Sequence, residues 1–313
     1  MHPWNEPLLE SVRKRLSRLP HALLIHGARG VGKLALAERV AQLLLCENDD
    51  AAKRPCGACS GCRWYLAGSH PDFRRIEPEA LAKEPPPEDE AEDTPAKKGK
   101  PSLVIKIEQI RGLEGFLNIG SHRGKLRVAL VHPAEDMPEA SANALLKGLE
   151  EPPSGAVFLL VSHRPAQLLP TIRSRCVALP VPVPPVEVAQ RWLESQHVKD
   201  APRWLAYAGG APLRAMDYAA HAATFDRLLR SPTPTDDRDE LEPLVDALQK
   251  IALDRALSAF GLPPKYGAST AKTKDGHAWL TYARRLGEDR LLSRHPLSPR
   301  LFSGEVLAAM PKS

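Results

Sequence analysis

The chain has 313 residues, of which 43% are hydrophobic and 26% charged, and a formal net charge of +5. That length and apolar share support two or three packed domains and exclude a fibre, a disulfide-stapled miniprotein or a chain too polar to fold. No stretch approaches the ~20 apolar residues of a membrane span, and the opening "MHPWNEPLLESVRKRL" has no apolar run before a small-residue cleavage site, so a cytoplasmic protein without membrane contact is expected.

The charge is unevenly spread: residues 77–100 hold eight acids against four lysines, leaving +9 on the remainder. A basic body suits a polyanionic partner, and equally a solvated arginine-rich surface.

In chain order, the first predicted element is a buried strand, "ALLIH" at 22–26. It runs into Gly27-Ala28-Arg29-Gly30-Val31-Gly32-Lys33 and then the amphipathic helix "GKLALAERVAQLLLC". Strand, glycine-rich turn, lysine and helix is the arrangement that surrounds nucleotide phosphates with backbone N–H groups. Gly27, Gly30 and Gly32 give the turn, and Lys33 reaches the outer phosphates. A hydrolysing site then needs a Ser or Thr hydroxyl for magnesium, and position 34 is Leu. It also needs carboxylates at a neighbouring strand end. The predicted strand "RVALVH" at 127–132 ends in His132-Pro133, with Glu135 and Asp136 two or more residues too late. Two independent losses of magnesium handling predict no ATP hydrolysis by this chain alone. ATP binding without hydrolysis and a turn kept only for its geometry both remain open.

Four cysteines follow as Cys46-x9-Cys56-x2-Cys59-x2-Cys62, the first at the end of the helix after the loop. Short spacing in a cytosolic chain points to a metal rather than disulfides, and four thiolates close a tetrahedral zinc site. The alternatives are an iron–sulfur cluster or an empty site. The ferredoxin pattern places its fourth cysteine three residues on, before Pro, whereas residues 63–66 read "RWYL".

The stretch 77–102 is Pro, Glu, Lys and Ala with little to bury and reads as a disordered surface insertion. Beyond it, "LVIKI" at 103–107 is a predicted strand. "IEQIRGLEGFLNI" follows as a helix with Ile107, Ile110, Leu113 and Leu117 three or four apart. After the 127–132 strand come the helix "EASANALLKGLEE", the strand "AVFLLVS" at 156–162, the helical turn "LLPTIRSRC" carrying Arg173 and Arg175, and the strand "CVALPV" at 176–181. Strands alternating with helices predict an α/β domain with a parallel sheet to about residue 180. The alternate prolines of "LPVPVPPVEVAQ" mark its exit. The rest is helical in pattern, with "RSPTPTDDRDE" near 230–240 either a linker or a loop.

Taken together, "LPHALLIHGARGVGK", "CGACSGC", "GSHPDF", "IEQIR", "NALLKGLEEPP", "TIRSRC" and "GGAPLRA" resemble, in that order, the clamp-loader AAA+ proteins of bacteria. The resemblance covers the first 220 residues; the last third, ending "HPLSPRLFSGEVLAAM", matches more weakly. It implies a RecA-like AAA+ domain at 1–183 with a Zn2+ module at 46–62, a helical lid at 184–222 and an all-α collar at 223–313. It further implies a hetero-pentamer with the gamma/tau motor and delta subunits that places the sliding clamp on primer-template DNA. The family's motor has Thr or Ser after the loop lysine and Asp-Glu at the strand end, so Leu34 and His132 imply a non-hydrolysing member; the alternative is an active gamma/tau-like motor. Arg175 matches the arginine offered in trans to a neighbour's ATP site, Arg214 the lid arginine that senses nucleotide, and Arg111 and Arg123 positions that face duplex phosphates. Outside that family, two readings compete: an autonomous ATPase holding magnesium through Glu135 or Asp136, and a zinc-containing DNA-binding module. No polymerisation chemistry is visible, so a polymerase label would describe the assembled holoenzyme.

Overall fold

Two kinds of sequence pattern produce two kinds of architecture. The computed structural model describes residues 1–82, 101–118, 126–269, 273–292 and 297–311, and the chain divides into Met1–Val183 and Pro184–Ser313.

In the first unit the described residues form strands β1 (Ala22–His26), β2 (Phe73–Ile76), β3 (Arg127–Val131), β4 (Ala156–Ser162) and β5 (Val177–Pro180). They pair in the order β2-β3-β4-β1-β5, every neighbour parallel. Their helices are α1 (Glu6–Arg13), α2 (Lys33–Leu45), α3 (Ser60–Leu66), α4 (Ile107–Asn118), α5 (Glu139–Glu150) and α6 (Pro170–Arg175). β3 and β4 are buried along their whole length, as a sheet covered on both faces requires. On one face Ile110, Leu113 and Leu117 of α4 and Leu145 and Leu149 of α5 close over Leu24, Val131, Phe158 and Leu160. Alternation along the strands turns Ile25, Leu130 and Leu159 to the other face, against Leu36, Val40 and Leu43 of α2. Each such leucine contributes roughly 2 kcal/mol by leaving water.

The connection after β1 runs to one side of the sheet, while the chain crosses from β4 to β5 on the other. The carboxyl ends of β1 and β4 therefore flank a crevice of the kind where open α/β sheets take ligands. Gly27 stands there because a Cβ would fall 2.2 Å from the carbonyl oxygen of Val181.

One expected strand is corrected. Residues 103–107 form no strand: Leu103 and Val104 are exposed, Ile105 donates to the carbonyl of Asp136 (3.0 Å), and Ile107 opens α4. The place beside β3 belongs to β2, whose Arg74 and Arg75 break the apolar run. A sheet edge, half in water, tolerates them. Of the insertion read at 77–102, residues 83–100 lie outside the described residues. Its near ends are tied by Ala80 N–H to the Ser102 carbonyl (3.0 Å) and by Ser102 N–H to the Glu79 carboxylate (2.9 Å).

The second unit is helical: α7 (Val186–Ser195), α8 (Ala201–Tyr207), α9 (Pro212–Ala220), α10 (Ala222–Arg230), α11 (Leu241–Ala259), α12 (Gly276–Leu292) and α13 (Pro299–Ala308). Prolines open α8, α9 and α13, where the missing N–H would have had no partner. One core gathers Trp204, Tyr207, Tyr218 and Phe225, and another gathers Leu244, Leu248, Trp279, Leu286 and Phe302. The 231–240 connection is held to α13, Thr235 N–H donating to Ser303 Oγ (3.0 Å). Asp254, fully buried, accepts from the backbone N–H groups of Lys265 (2.8 Å), Tyr266 (2.9 Å), Ala268 (2.6 Å) and Ser269 (3.3 Å), closing that loop on itself.

Candidate functional site

The phosphate loop is braced from the chain's start. Trp4 Nε1 donates to the Val31 carbonyl (2.9 Å), and the Asn5 amide donates to the carbonyls of Val31 (3.1 Å) and Gly32 (3.2 Å). In a planar trans peptide the N–H points opposite its C=O, so these contacts turn the N–H groups of Gly32 and Lys33 the other way. They join the unpaired donors that open α2. Gly32 has φ +82°, and a Cβ there would lie 2.4 Å from His2 Cδ2, so both backbone and space demand glycine. Lys33 is 2% exposed, and its Nζ donates to the Ala28 carbonyl (2.6 Å). Burial pulls its pKa down to about 8, opposed by Glu135, which leaves it charged at neutral pH.

Across the crevice, His132 follows β3 and His163 follows β4, rings edge to face at 5.4 Å. Burial, reinforced by Arg75, Lys33 and Arg29, holds His132 neutral down to about 4; burial, with Lys33 and His132, takes His163 down to about 2. The Nδ1 atoms of both have no hydrogen-bond partner among the described residues. Glu135, the acid nearest to replacing a strand-end carboxylate, accepts the His163 backbone N–H at 2.9 and 3.2 Å. Of the loop residues Gly27, Gly30, Gly32 and Lys33, the lysine carries the charge that helps hold both imidazoles neutral. His132 was visible at its strand end; His163, one residue past "AVFLLVS", could have been found by asking what ends the strand beside β1.

The four cysteines come together. The sulfurs of Cys46, Cys56, Cys59 and Cys62 lie within 4.8 Å of one another, and Cys46 and Cys59 are 3.9 Å apart. A tetrahedron with metal–sulfur bonds of about 2.3 Å has edges of about 3.8 Å. Backbone N–H groups point at the sulfurs: Cys56 to Cys46 (3.4 Å), Glu47 to Cys59 (3.4 Å) and Cys59 to Cys56 (3.3 Å). The N–H groups of Ala58 and Cys59 draw the Cys56 thiol down to about 6, while burial pushes Cys62 up to about 12. Spacing and donor set therefore fit a structural metal.

Arg175 ends α6, about one-third exposed, with Nη1 on the Thr171 carbonyl (3.0 Å) and Nη2 on the Glu150 carboxylate (2.5 Å). Arg214 lies in the second unit, on α9, where it pairs with buried Asp246 (2.8 Å) and stacks over Tyr218. Asp246 also takes Lys250 (2.8 Å), Arg290 (2.7 Å) and the Tyr218 hydroxyl (2.8 Å). Nothing local in "GGAPLRA" announces that partner. Arg111 is exposed on α4, and Arg123 lies outside the described residues.

A parallel sheet with a glycine-rich loop between β1 and α2, a cysteine-bound module and a helical second unit define a RecA-like AAA+ protein. A family profile described as DNA polymerase III, delta subunit, matches residues 6–184. The chain belongs to that family. Among its curated relatives, DNA polymerase III subunit delta' of Pseudomonas aeruginosa is 40% identical over 69% of this chain and 60% of its own length. The subunit of the same name from Escherichia coli is 34% identical over 62% of this chain and 53% of its own. DNA polymerase III subunit tau of Salmonella typhimurium is 34% identical over 61% of this chain and 26% of its own. The chain thus spans between about half and three-fifths of the delta' relatives it matches. Among the described residues no helix is long and apolar enough to cross a membrane.

Proposed function

We propose that this chain is a non-hydrolysing delta-prime subunit of the clamp loader. In this reading it joins gamma/tau motor and delta subunits in a cytoplasmic hetero-pentamer that places the sliding clamp on primer-template DNA. One observation carries the reading: a loop with the shape of a phosphate cradle has Leu34 and His132 at both magnesium-handling positions, while a partly exposed arginine, Arg175, closes α6. The relatives named delta' support the same choice. Arg175 is then lent to a neighbouring subunit's ATP, where a planar cation offsets charge on the transferring phosphate.

Residues 184–222 would serve as the lid and 223–313 as the collar, with Phe225, Ile251 and Ala268 of the proposed collar packing into the lid's core. Arg214, engaged by Asp246, acts in this reading as part of the lid's architecture. Arg111 and Arg123 are the proposed contacts to duplex phosphates. Cys46, Cys56, Cys59 and Cys62 would hold Zn2+, which cross-links the segment between α2 and α3 and takes no part in chemistry.

The test is assembly and hydrolysis together. The purified chain should be silent as an ATPase, should co-elute with the motor and delta subunits, and should contain about one zinc per chain. Hydrolysis by the chain alone restores the motor alternative. Iron and sulfide with a visible absorption band overturn zinc.

A further inference from the structure

Two arginines close α6, and only one of them is held. Arg173 is exposed, and its side chain bonds to no described residue. Arg175 is tied at both ends of its fork: Nη1 donates to the Thr171 carbonyl (3.0 Å) and to Ser174 Oγ (3.4 Å), and Nη2 meets the Glu150 carboxylate (2.5 Å). A guanidinium has five N–H donors. Among the described residues none takes the Nε–H or the second Nη2–H, on a head about one-third exposed. The head therefore has capacity for a second anion without leaving the first. Both anchors are fixed. Thr171 belongs to α6, which fully buried Ile172 pins to the sheet core, and Glu150 ends α5 beside Leu149, buried in the same core. Glu150 is also badly placed for its own helix, because the C-terminal end of an α-helix favours cations over carboxylates. Arg175 offsets that, but a partly exposed ion pair contributes little to stability. What the pair supplies is order: an arginine held by two acceptors has already lost side-chain freedom that it would otherwise lose on meeting a phosphate.

We propose that Glu150 is the positioning residue for Arg175: from the end of α5 it holds the guanidinium so that the remaining Nε–H and Nη2–H meet the phosphate of a neighbouring subunit's ATP. The inference rests on the reading of Arg175 as an arginine lent across an interface and adds how this chain prepares it. Glu150 touches no phosphate, and its pair with Arg175 persists when the phosphate is engaged.

The experiment is steady-state ATP hydrolysis, with clamp and primer-template DNA, by the motor and delta subunits assembled with the full chain or with its Glu150→Ala, Glu150→Gln, Arg175→Ala or doubly changed Glu150→Ala, Arg175→Ala variant. Assembly is checked by size exclusion and each free chain by thermal melting. The part of the rate that Arg175→Ala removes is the part this arginine supports. Of that part Glu150→Ala should leave about one-tenth, the effect of a misaligned group. Glu150→Gln, which keeps an acceptor oxygen without its charge, should leave about one-third. The KM for ATP should hold within about twofold, because the arginine acts on the transferring phosphate. The melting temperature of each Glu150 variant should stay within about 2 °C of the unchanged chain. The double variant should be no slower than Arg175→Ala alone, since a positioning residue acts only through the group it holds. If the Glu150→Ala chain does not assemble, the Glu150→Gln complex decides. Unchanged or faster turnover by an assembled Glu150 variant, or a further loss in the double variant, overturns the proposal while a depressed Arg175→Ala rate leaves the lent-arginine reading intact. An unchanged Arg175→Ala rate overturns that reading, and the proposal with it.

Discussion

Two buried charged clusters in this molecule are built on opposite plans. In the helical unit Asp246 is surrounded by Arg214, Arg290, Lys250 and the Tyr218 hydroxyl, all between 2.7 and 2.8 Å, so every charge ends on a partner within the fold. Burial works against its ionisation, but Lys250, Arg214 and Arg290 outweigh it and hold the carboxyl down to about 2. At the strand ends of the sheet, His132 and His163 keep unpaired nitrogens beside Lys33. The first cluster is closed, each charge on a partner; the second buries two imidazole nitrogens that no described residue pairs. A nucleotide-sensing role for Arg214, which its motif implies, would compete with its bond to Asp246.

The comparison breaks most readily at Asp246. Asp246→Ala takes the carboxylate from buried Lys250 and part-buried Arg214, leaves Arg290 to Glu242 at 3.7 Å, and should lower unfolding free energy by about 4 kcal/mol in urea melts. A loss under 1 kcal/mol would mean that the cluster is solvated. Next is Asp254→Asn, which replaces one of the two acceptor oxygens with an amide facing N–H donors; about 3 kcal/mol should be lost in the same assay.

The strand-end cluster is sharpened by pH. An unfolded imidazole protonates near 6.5, whereas burial and the cations Arg75, Lys33 and Arg29 keep His132 neutral down to about 4. Between those values the unfolded chain binds more protons, so stability falls as pH falls, by about 2 kcal/mol at about pH 5 from this side chain. His132→Phe should flatten that slope; an unchanged slope would place the titration elsewhere. The smallest effect belongs to Glu150→Gln. Its pair with Arg175 is partly exposed, so stability should change by about 0.5 kcal/mol or less.

Much of the sheet domain is legible in the sequence because its signals are local. The run "ALLIH", the glycines that follow and the helical pattern after Lys33 each need only neighbours to be read, and so does the clustering of four cysteines. β2 is hidden because an edge strand accepts Arg74 and Arg75, and "LVIKI" misleads because apolar content without a free ladder position makes no strand. The site is legible in its loop and only half legible opposite it. The His132 to His163 contact joins two strand ends 31 positions apart, and Arg214 meets Asp246 across 32. Such pairs are set by packing, not by periodicity. The brace of Trp4 and Asn5 on the loop is equally non-local, 26 or 27 positions from its carbonyls.

The central claim is that chemistry is lent by this chain and not performed in it. The most direct measurement is clamp- and DNA-stimulated ATP hydrolysis by the motor and delta subunits assembled with this chain or with its Arg175→Ala variant, with assembly checked by size exclusion. The account predicts normal assembly and a depressed rate, the site across that interface losing about 10³-fold in turnover. An unchanged rate from a fully assembled Arg175→Ala complex would contradict it.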